Sequence, residues 1–204
     1  MPVGELDLLD YRRRVFALYA RVRAEHDPAR AFARWVAERD ELFASHPQSA
    51  LPEERRAAFD GLSYFPFDPA GRVLADVEHA ERRRYEVPSS DGATMAFDRV
   101  GVARFSLGGA ACALELYWLA AYGGGLFVPF ADATAGEETY GAGRYLLDTV
   151  KGADLGTRDG RLVLDFNLAY NPSCSYDPRL SCPLAPPPNR LDVPVRMGER
   201  HVAG

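Results

Sequence analysis

The side chains best suited to chemistry are concentrated in one segment, residues 165–190. This segment contains a carboxylate, two amides, a phenol and a guanidinium at Asp165, Asn167, Asn171, Tyr170 and Arg190. Convergent donors and acceptors of these types are typical of a pocket that orients a small ligand. Short amides at strand ends also bond to nearby backbone and hold turns in place. The residue types therefore leave both a binding site and a structural network open.

A second group of polar residues lies upstream, around Arg144. This arginine follows a Gly-x-Gly pair, which allows close backbone approach, and its planar guanidinium suits a carboxylate or another anion. One interpretation is that Arg144 and Tyr140 hold an anionic group. The alternative is a tight turn in which Arg144 pairs with Glu137, Glu138 or Asp165. The Gly-x-Gly pair lacks the remaining glycine and flanking pattern of a nucleotide-binding fingerprint.

Two of the three cysteines, Cys174 and Cys182, fall inside the first segment. They lack the close Cys-x-x-Cys spacing of a zinc site, and the four histidines are scattered, so no metal site is predicted. They could form a redox pair that closes a short loop. They could equally be two buried thiols that behave as small apolar residues.

Three hypotheses for function follow from these residues. The first is a small-molecule site, binding or enzymatic, where residues 138–145 meet residues 165–190. In it Arg144 holds an anionic group, Glu138 or Asp165 acts as a base if burial raises its pKa, and other side chains orient the ligand. The orienting side chains are Tyr140, Asn167, Tyr170, Asn171 and Arg190. The sequence specifies no cofactor.

The second hypothesis is a non-enzymatic structural or interaction protein. The same residues would then form a buried hydrogen-bond network that locks the proline-rich tail against a sheet. The third hypothesis is a thiol redox or metal-binding protein that works through Cys174 and Cys182. The sequence does not specify the oligomeric state.

Helical periodicity describes the first part of the chain. Apolar residues recur at helical spacing in residues 5–26 and again in residues 28–45, and a short third helix is expected in residues 53–59. Asp27 and Pro28 predict the break between the first two helices, because Asp is a good N-cap and Pro suits the first helical position. The basic run in residues 12–14 is expected to form a solvated face.

From residue 61 onward the pattern changes to short strands separated by turns. Residues 94–107 and 126–130 are expected strands, and residues 144–150 and 161–167 are expected to form a hairpin. Residues 111–121 fit a largely buried strand, and their periodicity leaves a helix open. The sequence thus predicts an α+β, mainly β chain. A helical segment in residues 1–60 packs on an antiparallel barrel or sandwich-like domain in residues 61–204, which the proline-rich tail wraps.

Composition narrows the classes of partner. The chain has 204 residues and a formal net charge of −5, which argues against a surface for nucleic acid. No apolar run is long enough for a membrane helix, and no signal peptide is evident at the start. An odd number of cysteines does not indicate a secreted disulfide framework, so a cytoplasmic location is expected.

Several longer motifs carry a resemblance to a known family. They are residues 46–49, 59–65, 126–134, 138–145 and 165–191. On these motifs the chain resembles the bacterial and archaeal family catalogued as domain of unknown function 1684. The resemblance implies a homologous structure with a polar centre built from the last two ranges, and it implies no particular activity.

Overall fold

The computed structural model describes residues 4–201. Three helices open the chain: α1 (Glu5–Ala24), α2 (Pro28–Ser45) and the single turn α3 (Glu53–Arg56). The predicted restart is confirmed, because the Asp27 side chain accepts hydrogen bonds from the backbone of the first turn of α2. None of the helices in this range is long and apolar enough to span a bilayer.

An antiparallel sheet follows the helices, with the order β5-β4-β3-β2-β1-β7-β6 within residues 4–201. Its strands are β1 (Arg72–Pro88), β2 (Thr94–Leu107), β3 (Ala110–Leu119), β4 (Leu126–Phe130), β5 (Arg144–Asp148), β6 (Thr157–Arg158) and β7 (Arg161–Asp165). The predicted mainly β architecture with preceding helices is confirmed. The sheet does not close into a barrel, because β5 and β6 are its two edges in the described residues.

The segments expected to form a hairpin with each other are not neighbours in the sheet. β5 pairs with β4, and β7 pairs with β1 and β6. The chain after β7 nevertheless returns to β5, where the backbones of Tyr145 and Tyr170 exchange two hydrogen bonds of 2.8 and 3.1 Å. This bridge covers the edge of β5 and brings the two motif segments together.

Residues 191–196 read as an edge strand in the sequence, and that expectation is wrong. They have no regular strand conformation. The segment is held by separate bonds instead, such as the 2.8 Å bond from the Leu191 amide to the Ala131 carbonyl. Pro194 lies within this segment and has no backbone donor, which interrupts a continuous ladder.

One apolar cluster joins the helices to the sheet. Leu18 and Val22 of α1 and Trp35 of α2 belong to the same buried cluster as Leu114 of β3 and Val128 of β4. The Trp35 indole also donates a hydrogen bond to the Tyr19 hydroxyl. This packing fixes α1 and α2 relative to β5 and to the chain that crosses it.

Candidate functional site

Arg144 is buried and has internal partners. Its guanidinium bonds to the Asp132 carboxylate at 3.2 Å, to the Val195 carbonyl at 2.9 Å, and to the carbonyls of Met197 and Glu199. Only 1% of its surface is exposed. The carboxylate beside it is therefore Asp132 rather than Glu137, Glu138 or Asp165, and the bonds tie β5 to residues 195–199.

Asn167 and Asp165 form a second internal group. The Asn167 amide donates to the Asp68 carbonyl at 2.8 Å and to the Asp165 carboxylate at 3.0 Å, and its oxygen accepts from the Asp68 amide at 2.9 Å. Burial raises the pKa of Asp165, and hydrogen bonds from Asn167 oppose that shift. This arrangement holds the turn after β7 against the turn before β1.

Three further residues named by the sequence lie apart from this centre. Glu138 forms a surface ion pair with Arg196 at 2.8 Å, and Arg190 is exposed. Tyr140 is half-buried and its hydroxyl lies 3.8 Å from the Cys174 sulfur. The predicted site residues therefore do not form a single cluster but lie in several separate environments.

A cavity of about 240 Å³ lies between α1, α2 and the chain that follows β7. Tyr170, Asn171 and Cys182 are the predicted residues that line it. The other lining residues are Leu8, Tyr11, Arg12, Val15, Leu18, Tyr19, Arg39, Leu42, Phe43, Gln48, Tyr145, Lys151, Ala153, Ser173, Leu180 and Ser181. The described wall thus contains three cationic side chains and no carboxylate.

The cationic side chains of this wall differ in how far they are already paired. Arg39 bonds to Glu199 at 2.7 Å and lies over the rings of Trp35 and Tyr170. Lys151 lies 3.5 Å from Asp148. Arg12 forms no salt bridge within residues 4–201.

Two polar atoms of the wall are buried without a partner. Arg12 Nε and Asn171 Oδ1 have no hydrogen-bond partner in the described part of the chain, and the only other such side-chain atoms there are Arg99 Nε and Ser175 Oγ. Asn171 is 4% exposed. Its backbone amide donates to Glu199 at 3.0 Å and its side-chain nitrogen donates to the Arg200 carbonyl at 3.0 Å. Asn171 is therefore fixed in place while its oxygen remains available.

Glu199 is the central residue that sequence reasoning missed. Its carboxylate is 1% exposed and accepts hydrogen bonds from Arg39, from the Asn171 amide and from the Tyr176 hydroxyl. Burial raises the pKa of Glu199 to about 7, and the nearby Arg39 opposes the shift. A single glutamate after a glycine carries no motif or periodic signal, so its partners became visible only in the fold.

Asn189 is another buried residue that the sequence did not single out for a role. Its oxygen accepts from the Glu115 amide at 2.8 Å, and its nitrogen donates to the carbonyls of Glu115 and Pro129 at 3.0 and 2.7 Å. The side chain thereby bonds like a short piece of strand across β3 and β4.

The two thiols of the tail are neighbours. The Cys174 backbone amide donates to the Cys182 sulfur at 3.3 Å, and both cysteines are buried and unbridged. No group of three His, Cys, Asp or Glu side chains in residues 4–201 is arranged to hold a metal ion. The pair therefore stands as a dithiol rather than as part of a larger ligand set.

Comparison with known proteins agrees with this arrangement of motifs. The family model described as Protein of unknown function (DUF1684) matches residues 57–200. The chain belongs to this family. The DUF1684 match spans the whole sheet together with both motif segments, as the sequence resemblance implied.

A solved structure is similar to this DUF1684 chain over most of its length. It is the solution NMR structure of an uncharacterized protein of Haloarcula marismortui, 40% identical, with a TM-score of 0.59. The match covers 81% of the present chain and 89% of the other. No curated protein matches the chain.

Proposed function

We propose that the cavity between α1, α2 and the chain after β7 binds a small organic molecule that carries an anionic group. The observation that carries the proposal is the pair of unpartnered atoms, Arg12 Nε and Asn171 Oδ1, in one wall. A buried polar atom without a partner costs about 1–3 kcal/mol. A ligand that bonds to both atoms would recover that free energy.

The charged side chains that line the cavity favour an anionic ligand. Arg12, Arg39 and Lys151 line the cavity without any carboxylate among the described lining residues, although the chain as a whole carries a net charge of −5. Glu199 and Asp148 already pair with Arg39 and Lys151. Arg12 is therefore the cation most available to a ligand, whereas the guanidinium of Arg144 is already bonded to Asp132 and to backbone carbonyls.

The size and the other lining residues narrow the class of ligand. Pockets for drug-sized molecules measure about 300–1,000 Å³, so a cavity of about 240 Å³ suits a smaller metabolite. Aromatic rings from Tyr11, Tyr19 and Tyr170 supply apolar contact area. Since Asn171 Oδ1 only accepts hydrogen bonds, the ligand should also carry a hydroxyl or amine donor. We therefore expect a small hydroxy or amino acid with an apolar body.

Binding can be tested with 4-hydroxybenzoate, which combines a carboxylate, a ring and a hydroxyl donor. It should shift the side-chain amide resonance of Asn171 and raise the melting temperature of the protein. At ten times its dissociation constant the stabilisation should be about 1.4 kcal/mol. The neutral analogue 4-hydroxybenzyl alcohol should bind more weakly, because it lacks the anionic group.

A matched pair of variants assigns the effect to the cavity. Arg12→Ala removes the unpaired guanidinium, whereas Arg13→Ala removes the exposed neighbour on α1 that does not line the cavity. We expect binding to be lost in Arg12→Ala and retained in Arg13→Ala. Equal binding by the two variants would contradict the proposal, as would the absence of any shift at Asn171 with 4-hydroxybenzoate, benzoate and inorganic phosphate.

The alternative of a non-enzymatic interaction protein is favoured by a different observation. The buried side chains of Arg144, Asn167 and Asn189 each form internal hydrogen bonds, and bonds of this kind are what a buried network would require. A chain that binds no small anion but retains this network would support that alternative.

A further inference from the structure

Cys174 and Cys182 are close enough to act as a pair. The Cys174 amide donates a hydrogen bond to the Cys182 sulfur at 3.3 Å. The Tyr140 hydroxyl lies 3.8 Å from the Cys174 sulfur. Cys174 is thus surrounded by donors suited to a thiolate.

The pKa values of the Cys174 and Cys182 thiols are shifted in opposite directions. The hydrogen bond from Cys182 lowers the pKa of Cys174 to about 6, and the same bond together with burial raises the pKa of Cys182. Burial also raises the pKa of Tyr140 to about 12, so its hydroxyl keeps its proton and donates to Cys174. The opposite directions of the two pKa shifts favour Cys174 as the thiolate of the pair and Cys182 as its proton donor.

Access to the pair is narrow. Cys174 is 7% exposed and Cys182 is 3% exposed, but Cys182 also lines the cavity of about 240 Å³. A large disulfide substrate cannot reach sulfurs so deeply buried, whereas hydrogen peroxide is little larger than water. The geometry selects a small oxidant.

We propose that Cys174 and Cys182 form a peroxide-sensitive dithiol that closes into an intrachain disulfide. The Cys174 thiolate attacks one peroxide oxygen, the O–O bond breaks, and the product is a sulfenic acid on Cys174 with hydroxide as the leaving group. That hydroxide takes the proton of Cys182 and becomes water. The inference does not depend on the proposed ligand, because the cavity serves here only as a path for peroxide.

The second step forms the disulfide. The Cys182 thiolate attacks the sulfur of the sulfenic acid, the S–S bond forms and the S–O bond breaks. The departing hydroxide takes up a proton from solvent and becomes a second water. Overall, two thiols lose two electrons to one peroxide molecule.

The native chain permits a direct test, because Arg179 lies between the two cysteines. After treatment with one equivalent of hydrogen peroxide and alkylation of the remaining thiols, trypsin should release residues 162–179 joined to residues 180–190. Dithiothreitol should separate the two peptides. Cys112 on β3 is an internal control, since burial raises its pKa, and it should remain alkylated. We expect the Cys174 thiol to disappear about tenfold faster than that of Cys112.

Two variants extend the test. Cys182→Ser should abolish the linkage and leave a Cys174 sulfenic acid that dimedone traps, whereas Cys112→Ser should keep the linkage. If Cys182→Ser fails to fold, the peptide map of the native chain still shows whether Cys174 and Cys182 form a disulfide. Equal oxidation of all three cysteines, linkage between chains only, or full alkylation of Cys174 and Cys182 after peroxide would overturn the inference.

Discussion

Arg144 donates hydrogen bonds to four oxygens of two distant segments, including the buried carboxylate of Asp132. Arg12 and Asn171 differ from it, because each holds a buried polar atom with no partner in residues 4–201. At the scale of single residues, this contrast separates a side chain that stabilises the fold from side chains that remain available to a ligand.

Arg144→Ala should therefore cause a large loss of stability. The substitution leaves the Asp132 carboxylate buried without its cation, and breaking a buried ion pair in this way costs about 3–5 kcal/mol. Urea denaturation would measure the loss. Arg158→Ala, at an exposed position, is the control and should change the free energy of unfolding by less than about 0.5 kcal/mol. A loss of similar size in both variants would show that Arg144 is not structural.

The buried carboxyl of Glu199 predicts how the free energy of unfolding depends on pH. Its pKa is about 7 in the folded chain against an ordinary value of 4.5, so the folded state binds more protons between these values. This contribution to stability is fully present below about pH 4.5 and is lost as pH rises through about 7. Glu199→Gln mimics the protonated form and should remove the dependence.

The comparison requires unfolding curves of the native chain and Glu199→Gln at pH 5 and pH 8. The stability of the native chain relative to the variant should be greater at pH 5, by up to about 3 kcal/mol. If the difference between the two proteins is the same at both pH values, Glu199 does not titrate in this range.

At the scale of elements, the turn before β5 sets the position of Arg144. Gly143 has a φ of +95°, and an added Cβ would lie 2.6 Å from the Phe130 carbonyl oxygen. Gly160, in the turn between β6 and β7, has a φ of +75° but no atom within 4 Å of an added Cβ. The two glycines share the left-handed backbone and differ in the space around them.

Gly143→Ala should therefore destabilise the chain more than Gly160→Ala. Both substitutions strain the backbone by about 1–3 kcal/mol, and only the first also forces β5 away from β4. Thermal unfolding of the two variants would measure the difference. Equal melting temperatures would mean that the close approach at Gly143 relaxes without cost.

The sequence predicted the elements whose signals are local. The cap at Asp27 and the strand in residues 94–107 need no knowledge of distant residues, and both were confirmed. The same reasoning treated Arg12 as part of a solvated face. Arg12 instead lines the cavity, because the chain after β7 returns beneath α1, and nothing in the local pattern of α1 reports that return.

The irregular tail could not be predicted for a related reason. The partners of Asn189 lie 60 and 74 positions away in the chain, and the partner of Glu199 on α2 lies 160 positions away. Side-chain bonds of this kind replace a strand ladder, so they leave no period of two or 3.6 residues to detect. The composition of the tail marked it as unusual, but the partners of its side chains could be identified only from the folded structure.

At the scale of the whole molecule, the bridge between Tyr145 and Tyr170 joins the tail to the sheet. Both residues are part of the aromatic packing near the cavity, with ring centroids 5.6 Å apart. The free energy of opening this bridge should therefore equal that of global unfolding.

Hydrogen exchange would measure this coupling. The backbone amides of Tyr145 and Tyr170 should exchange as slowly as that of Leu114 in the centre of the sheet. The exposed Gly160 amide is a control and should exchange rapidly. Fast exchange at Tyr170 with slow exchange at Leu114 would show that the tail opens independently of the sheet.

The bonds to residues 195–199 also affect the order in which the chain can fold during synthesis. Arg39 and Arg144 receive partners that the ribosome adds 160 and 51 to 55 residues later. A nascent chain that has already produced every strand still lacks the oxygens of residues 195–199 that bond to these two interior cations. The sheet should therefore mature only after residue 199 leaves the exit tunnel, and fragments that stop before residue 195 should be rapidly degraded in the cell.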